Sequence, residues 1–320
     1  VRIISPVDQL SEVEPLLDAG ATELYGGFVP PEWSERFSLY SSINQRTFDS
    51  AQISTVDEFG AILHRVHARD ARFSLTLNAS FYTDAQIPVL LDYIAEVVSA
   101  GVDGLILADL GLLRQIRPLY PNLELHASTL AHLANSEAVS VYVDAGIDRV
   151  VLPRHLPVAE MSSIVKAHPD ICFDAFLLIG NCPNTEGLCT FHRSSPDRIW
   201  PCEIPYEIEA IEPCSTESVP AVIEQQASWS RSNRRHGCGL CAIPALQQAG
   251  LFGLKLVGRG APTAMKIKNV ILASEFDSLA LSGENSDLFQ QLARAAHRKR
   301  FGQVCSANVC YYPEFFNPLN

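Results

Sequence analysis

The chain has 320 residues, 47% of them hydrophobic and 19% charged, and a formal net charge of −12. That balance supplies a large core and excludes a disordered chain, and no apolar run reaches the roughly 18 residues that a membrane-spanning helix needs. The acidic charge argues against nucleic acid as a partner, because phosphate contacts need Lys and Arg.

Short apolar runs alternate with longer amphipathic stretches. The sequence predicts strands at Arg2–Pro6, Glu23–Phe28, Arg72–Asn78, Gly104–Asp109, Glu124–Thr129, Arg149–Arg154, Cys172–Ile179 and Gly253–Gly258. Between them it predicts helices at Val7–Ala19, Val56–Arg69, Asp84–Ala100, Asn135–Ala145 and Val158–Ala167. Ala-Gly pairs at Ala19-Gly20, Ala100-Gly101, Ala145-Gly146 and Ala249-Gly250 supply the left-handed residue that ends a helix. Strand–helix alternation implies a parallel sheet, and eight strands imply closure into a (β/α)8 barrel of the TIM type. No G-x-G-x-x-G follows the first strand, so a dinucleotide-binding open sheet loses support.

Two stretches break the rhythm. One is the loop Pro30–Ser54; the other is a cysteine-bearing insertion, 181–237, after the seventh strand. Both follow strand C-termini, where barrels carry their sites. The expected organisation is one barrel domain, 1–302, with an aromatic tail, 303–320, packed on it. The basic run Arg294–Arg300 reads as a solvated helix end.

Nine cysteines, an odd number, argue against a fully paired disulfide framework. No secretory signal opens the sequence, so free or metal-bound thiols in the cytoplasm are the expectation. Cys182-x6-Cys189-x12-Cys202, followed by Cys241, offers four soft ligands, enough for an iron–sulfur cluster or a tetrahedral zinc ion. Cys238-x2-Cys241 is a competing pair, and ordinary buried cysteines are the alternative to both.

At the strand ends, polar groups collect that would line a barrel mouth. Arg154, Lys255 and Arg259 are the candidates for holding a small anionic organic substrate, since guanidinium forks match carboxylates. His126 and Glu23 are candidates for proton transfer, and Tyr25 for a hydrogen bond to substrate. Asn78, Asp109 and Ser128 complete the set.

Several segments resemble the collagenase-like peptidases of family U32, and within it the short members of oxygen-independent ubiquinone hydroxylation. They are Ala21–Gly27 (ATELYGG), Gly104–Gly111 (GLILADLG), Ala127-Ser128-Thr129 with Asn135, Arg149–Arg154 with Leu156, the Cys182/Cys189 pair, and Cys241–Arg259 (CAIPALQQAGLFGLKLVGR). The likeness runs over about residues 2 to 275. It implies a 4Fe-4S cluster on Cys182, Cys189, Cys202 and Cys241, with Cys214 or Cys238 as substitutes for Cys202. It also implies a prephenate-like co-substrate, a homo- or hetero-dimer with a related chain, and an oxygen-independent hydroxylation or a related redox or sulfur-transfer step. The alternatives are a non-catalytic cluster-bearing subunit and a zinc-dependent hydrolase; no nucleophile–base signature supports proteolysis. Leu130, His155, Leu178-Ile179 and Val257 depart from the family pattern, which implies a changed substrate.

Overall fold

In the computed structural model, residues 1–37, 41–46, 48–180, 182, 220, 223, 236–283 and 285–316 are described. Eight parallel strands, each paired with its neighbour in sequence, close into a barrel: β1 (Arg2–Pro6), β2 (Glu23–Gly26), β3 (Arg72–Leu77), β4 (Gly104–Leu107), β5 (Glu124–Ala127), β6 (Arg149–Val151), β7 (Cys172–Leu178) and β8 (Gly253–Leu256). The fold is the (β/α)8 barrel that the alternation of elements predicts.

One residue parity of each strand faces outward and is apolar: Leu24, Phe73, Leu75, Leu105, Leu125, Val150, Phe173 and Leu254 are all buried under the surrounding helices. Each such side chain contributes about 1.5–3 kcal/mol when removed from water. The helix Val56–His67 shows the same logic, burying Phe59, Ile62, Leu63 and Val66 at helical spacing, and Thr55 caps its start by accepting from the Glu58 amide. Asn135 does likewise for the helix Ser136–Asp144, accepting from Ala138 at 2.9 Å.

Several strands are shorter than the sequence pattern predicts. β2 stops at Gly26 because the following loop folds back: the Ile53 amide donates to the Gly27 carbonyl, and Phe28 bridges Ile53. That loop contains a helix, Pro31–Phe37, whose Trp33 is buried.

Beyond β7, Leu178 bridges Cys238 in antiparallel sense, and Gly239 donates to the Leu177 carbonyl. The tail is stitched to the same segment. Cys238 donates to Val309, Tyr311 donates to Cys238, and the Tyr312 hydroxyl donates to the Phe176 carbonyl at 2.7 Å. Tyr311 and Tyr312 are buried, so residues 309–312 cover the end of β7 with backbone and ring. Among the described residues, no helix is long and apolar enough to cross a membrane.

Candidate functional site

The inward-facing parity of the strands divides into an ionic layer near the strand N-termini and an aromatic–cationic layer toward the C-termini. In the ionic layer Arg149 is the hub. Its Nε donates to Asp174 at 2.8 Å and its Nη1 donates to Glu23 at 2.7 Å and to Glu124 at 3.4 Å. Arg2 reaches Glu23 at 3.2 Å, Arg72 reaches Glu124 at 2.5 Å, and His126 pairs with Glu124 at 2.8 Å. Gly253 leaves room for this layer, since a β-carbon there would strike the Asp174 carboxylate.

Burial alone would raise the Glu23 carboxyl, yet Arg149 and His126 outweigh it and hold its pKa below the usual range. Glu124 behaves in the same way. Burial pushes it up, but His126, Arg72 and Arg149 bring it down to about 2. Both are carboxylates at neutral pH. The structure therefore places Glu23 and His126 in a charge-compensated plug below the mouth, with Glu23 saturated by two arginines and Ser74. Arg149 and Asp174, which hold this plug together, were not among the sequence candidates. Their signal was legible, however: a charge within an otherwise apolar strand demands an interior partner.

One layer higher, the parallel register sets Lys255 opposite Ile4 on one side and Phe176 on the other. The Lys255 ammonium lies 4.0 Å from the centroid of the Tyr25 ring, and the Arg154 guanidinium lies 3.6 Å from that of Phe176. Cations over aromatic faces gain from the ring quadrupole, more so when desolvated. Burial lowers Lys255 to about 8, with Arg149 and Arg154 acting in the same direction against Asp174 and Glu23. The Tyr25 hydroxyl donates to the Leu256 carbonyl at 2.8 Å, and burial raises its pKa to about 12. Tyr311 comes from the tail to join this layer; its hydroxyl donates to the Ile179 carbonyl, and burial raises it to about 12 against the opposing charge of Arg154.

The remaining candidates have structural partners. Arg259 donates to the carbonyls of Ala51 and Asn44, to Thr76 and to Gln52, so it pins the loop after β2 to the barrel rim. Asp109 caps the helix Leu110–Leu119 through the Leu112 amide and also accepts from Tyr82. Asn78 donates to Ser128 at 3.2 Å, and Ser128 accepts from Leu130; among the described residues the buried Asn78 Oδ1 has no partner. The structure thus brings together Tyr25, Lys255 and Arg154, with Asn78–Ser128 as a polar pair of its own. Glu23, His126, Asp109 and Arg259 are engaged by partners of their own, although the charge of Arg259 reaches Tyr25 and that of Glu23 reaches Lys255.

Sequence reasoning missed a histidine pair on the loops after β5 and β6. His132 and His155 have ring centroids 5.5 Å apart, and burial together with His132 lowers the pKa of His155. Of the four expected cluster ligands, Cys182 and Cys241 are described, whereas Cys189 and Cys202 lie outside the described residues, as does Cys214. Cys182 lies four residues past the end of β7, and Cys241 follows the Cys238 segment that pairs with Leu178, so both belong to one end of the barrel. Cys238, Cys305 and Cys310 lie within electrostatic range of Cys241. Among the described residues, no three His, Cys, Asp or Glu side chains converge on one metal position.

The family model described as Peptidase family U32 matches residues 8–312. The chain belongs to peptidase family U32. Its similar relatives within curated proteins include tRNA hydroxylation protein P of Helicobacter pylori, 25% identical over 199 residues, covering 62% of this chain and 44% of that protein. tRNA hydroxylation protein P1 of Bacillus subtilis is 24% identical over 265 residues, covering 81% and 58%. The 23S rRNA 5-hydroxycytidine C2501 synthase of Escherichia coli is 25% identical over 163 residues, covering 49% and 24%. The chain thus spans less than half the length of the H. pylori protein. A solved U32 peptidase is similar with a TM-score of 0.46 and 12% identity, covering 62% of this chain and 74% of that one.

These U32 relatives correct one expectation. The net charge of −12 argues against nucleic acid as a partner, yet the relatives are named for hydroxylating tRNA or for making a modified rRNA base. The physical reason is that net charge sums a whole surface. Capture of one nucleotide in a pocket depends on the few groups that line it, and this mouth is locally cationic despite the total of −12.

Proposed function

We propose that the chain is the barrel of an RNA hydroxylation protein, adding oxygen to a nucleobase held at the C-terminal mouth without using molecular oxygen. The observation that carries this reading is the pair of aromatic-backed cations, Lys255 on Tyr25 and Arg154 on Phe176, in a chain whose family relatives are named for hydroxylating tRNA. A base needs apolar faces with a few placed donors and acceptors, and the phosphate beside it needs a cation. Enzymes that modify a base take it out of its stack, so a concave mouth rather than a basic groove is the required geometry.

A 4Fe-4S cluster on Cys182, Cys189, Cys202 and Cys241 belongs to the same reading. Supporting it are the soft donor set and the placement of Cys182 and Cys241 at the same barrel end as Arg154 and Tyr311. When bound, such a group supplies electron transfer. The residues of the chain position and exclude: Arg154 and Lys255 fix the anionic part of the ligand, and Tyr311 and Tyr312 close the β7 side against water.

The test is anaerobic expression of the chain in an Escherichia coli strain lacking its own tRNA hydroxylation protein P and its 23S rRNA 5-hydroxycytidine synthase. Total tRNA and rRNA are digested to nucleosides and weighed by mass spectrometry. A nucleoside heavier by one oxygen, lost in the Arg154→Gln variant, is expected. An unchanged nucleoside pool despite folded, soluble protein overturns the reading.

A further inference from the structure

Charge is divided unevenly along the chain. Residues 225–313 carry eleven of the 24 Lys and Arg but four of the 36 Asp and Glu, a formal +7, while the remainder carries −19. Residues 288–313 hold no Asp or Glu in sequence, yet they include Arg294, Arg298, Lys299 and Arg300. Two helices present the cations: Thr263–Leu281 bears Lys266 and Lys268, and Ser286–Phe301 bears the other four.

These helices meet at the mouth end of the barrel. The first starts seven residues past β8, and its Lys266 donates to Asp8, just beyond β1, and to Glu12 at 2.7 Å. Arg300 crosses from the second helix to the Asn269 side chain of the first at 2.9 and 3.0 Å. The second helix also packs on Leu240–Ala242, beyond the end of β7, and its His297 lies 3.4 Å from the His236 carbonyl.

Three of the six cations are occupied. Lys266 and Arg300 have the partners just given; Arg294 lies 5.8 Å from the Phe316 ring centroid, and its charge reaches Cys241. Lys268, Arg298 and Lys299 differ. They are exposed, and among the described residues no carboxylate pairs with them. Lys268 and Lys299 are the sequence neighbours of Asn269 and Arg300, so the contact between those two residues gathers the exposed cations in one place. The helix dipole favours Arg298 and Lys299 in a last turn, but it gives Lys268 no help near the start of the other helix. Like charges held together repel, and a polyanion lying across them offsets that cost.

A mouth that takes one base leaves the rest of an RNA chain outside it, where the phosphates need cations beside the opening. We infer, resting on the RNA reading above, that Lys268, Arg298 and Lys299 form a docking surface for the phosphate backbone of RNA whose base enters the mouth. Contacts of this kind set position and strength of binding and carry no base preference.

The experiment titrates the purified full chain into fluorescein-labelled bulk Escherichia coli tRNA and reads anisotropy over a series of KCl concentrations. The variant combining Lys268→Gln, Arg298→Gln and Lys299→Gln should bind about tenfold or more weakly at the lowest salt, and its plot of log affinity against log salt should be shallower by roughly 2–3, the slope of three lost phosphate contacts. A control combining Arg65→Gln, Arg114→Gln and Lys166→Gln removes the same charge from exposed positions on other helices, and should stay within about twofold of wild type. Equal weakening in both variants, unchanged binding in the first, or wild-type binding to phosphatidylglycerol vesicles but not to tRNA overturns the docking surface. The nucleoside assay separates the two ideas. A heavier nucleoside made by a chain whose tRNA affinity ignores the three cations removes the docking surface alone; tRNA binding through them without a heavier nucleoside removes hydroxylation alone.

Discussion

Gly27 and Arg259 share one volume. A β-carbon at Gly27 would overlap the Nη2 atom of Arg259, and it would also crowd the Asn44 amide at 2.5 Å. The glycine is required there by close approach, because the guanidinium passes over it to reach the Ala51 and Asn44 carbonyls. Replacing Gly27 by alanine should displace Arg259 and loosen the loop after β2. The expected cost is about 1–3 kcal/mol, the usual range for overpacking, read as a lower urea midpoint. Gly60, whose β-carbon would meet nothing within 4 Å, is the control: Gly60→Ala in its helix should be neutral or stabilising.

The ionic plug predicts a specific acid response. Glu23 and Glu124 have folded pKa values depressed below the ordinary 4.5, by Arg149 and His126 acting against burial. A carboxylate of this kind stabilises the fold fully above its unfolded pKa, and that contribution fades as pH falls through the folded value. For Glu124 the window runs from about 4.5 down to about 2. Guanidinium unfolding across this range should therefore show stability falling with acid, with a shallower slope in Glu124→Gln. Arg149→Met should be far more damaging, because it strands Asp174 and Glu23 without their cation; breaking such a buried network costs about 3–5 kcal/mol.

The barrel was legible because its outward strand positions are apolar and four of its described helices end in Ala-Gly, signals local to each segment. The ionic plug was legible only in fragments. Asp174 within CFDAFLL and Arg149 at the head of RVV are visibly charges in apolar strands, but their meeting depends on strand stagger, which no local pattern states. Tyr25, Lys255 and Arg154 were recoverable as residues near strand C-termini. Tyr311 was not, since its position depends on a tail whose backbone pairs with Cys238 some seventy residues away in sequence. Arg259 and Asp109 show the opposite failure. Each has a residue type suited to a ligand, and each is occupied by the chain's own backbone.

Lys255 gives a pH dependence of unusual sign. Burial lowers its folded pKa to about 8 from the ordinary 10.5. Below about pH 8 both states are charged and folding bears the full cost of burying the ammonium. Between about 8 and 10.5 the unfolded chain binds more protons than the folded one, so stability rises with pH. The Lys255→Met variant should be more stable than wild type at pH 7, and the gap should close by pH 10.5. Urea midpoints at three or four pH values measure it, and parallel curves for the two proteins would contradict the buried, unpaired placement of the amine.

Cysteine substitutions separate the expected cluster ligands from their neighbours. Cys241 lies within electrostatic range of Cys238, Cys305 and Cys310, so proximity alone does not tell which sulfurs would hold iron. Burial raises the Cys238, Cys241, Cys305 and Cys310 thiols alike, Cys310 to about 12, so thiol acidity does not separate them either. Cys182 and Cys241 are the two described members of the expected ligand set, and Cys305 and Cys310 are partly exposed as they are. After anaerobic reconstitution, Cys182→Ser and Cys241→Ser should lose most of the bound iron and sulfide together with the visible absorption, whereas Cys305→Ser and Cys310→Ser should keep both. Equal loss in the tail variants would move the ligand set to the Cys238 segment and the tail.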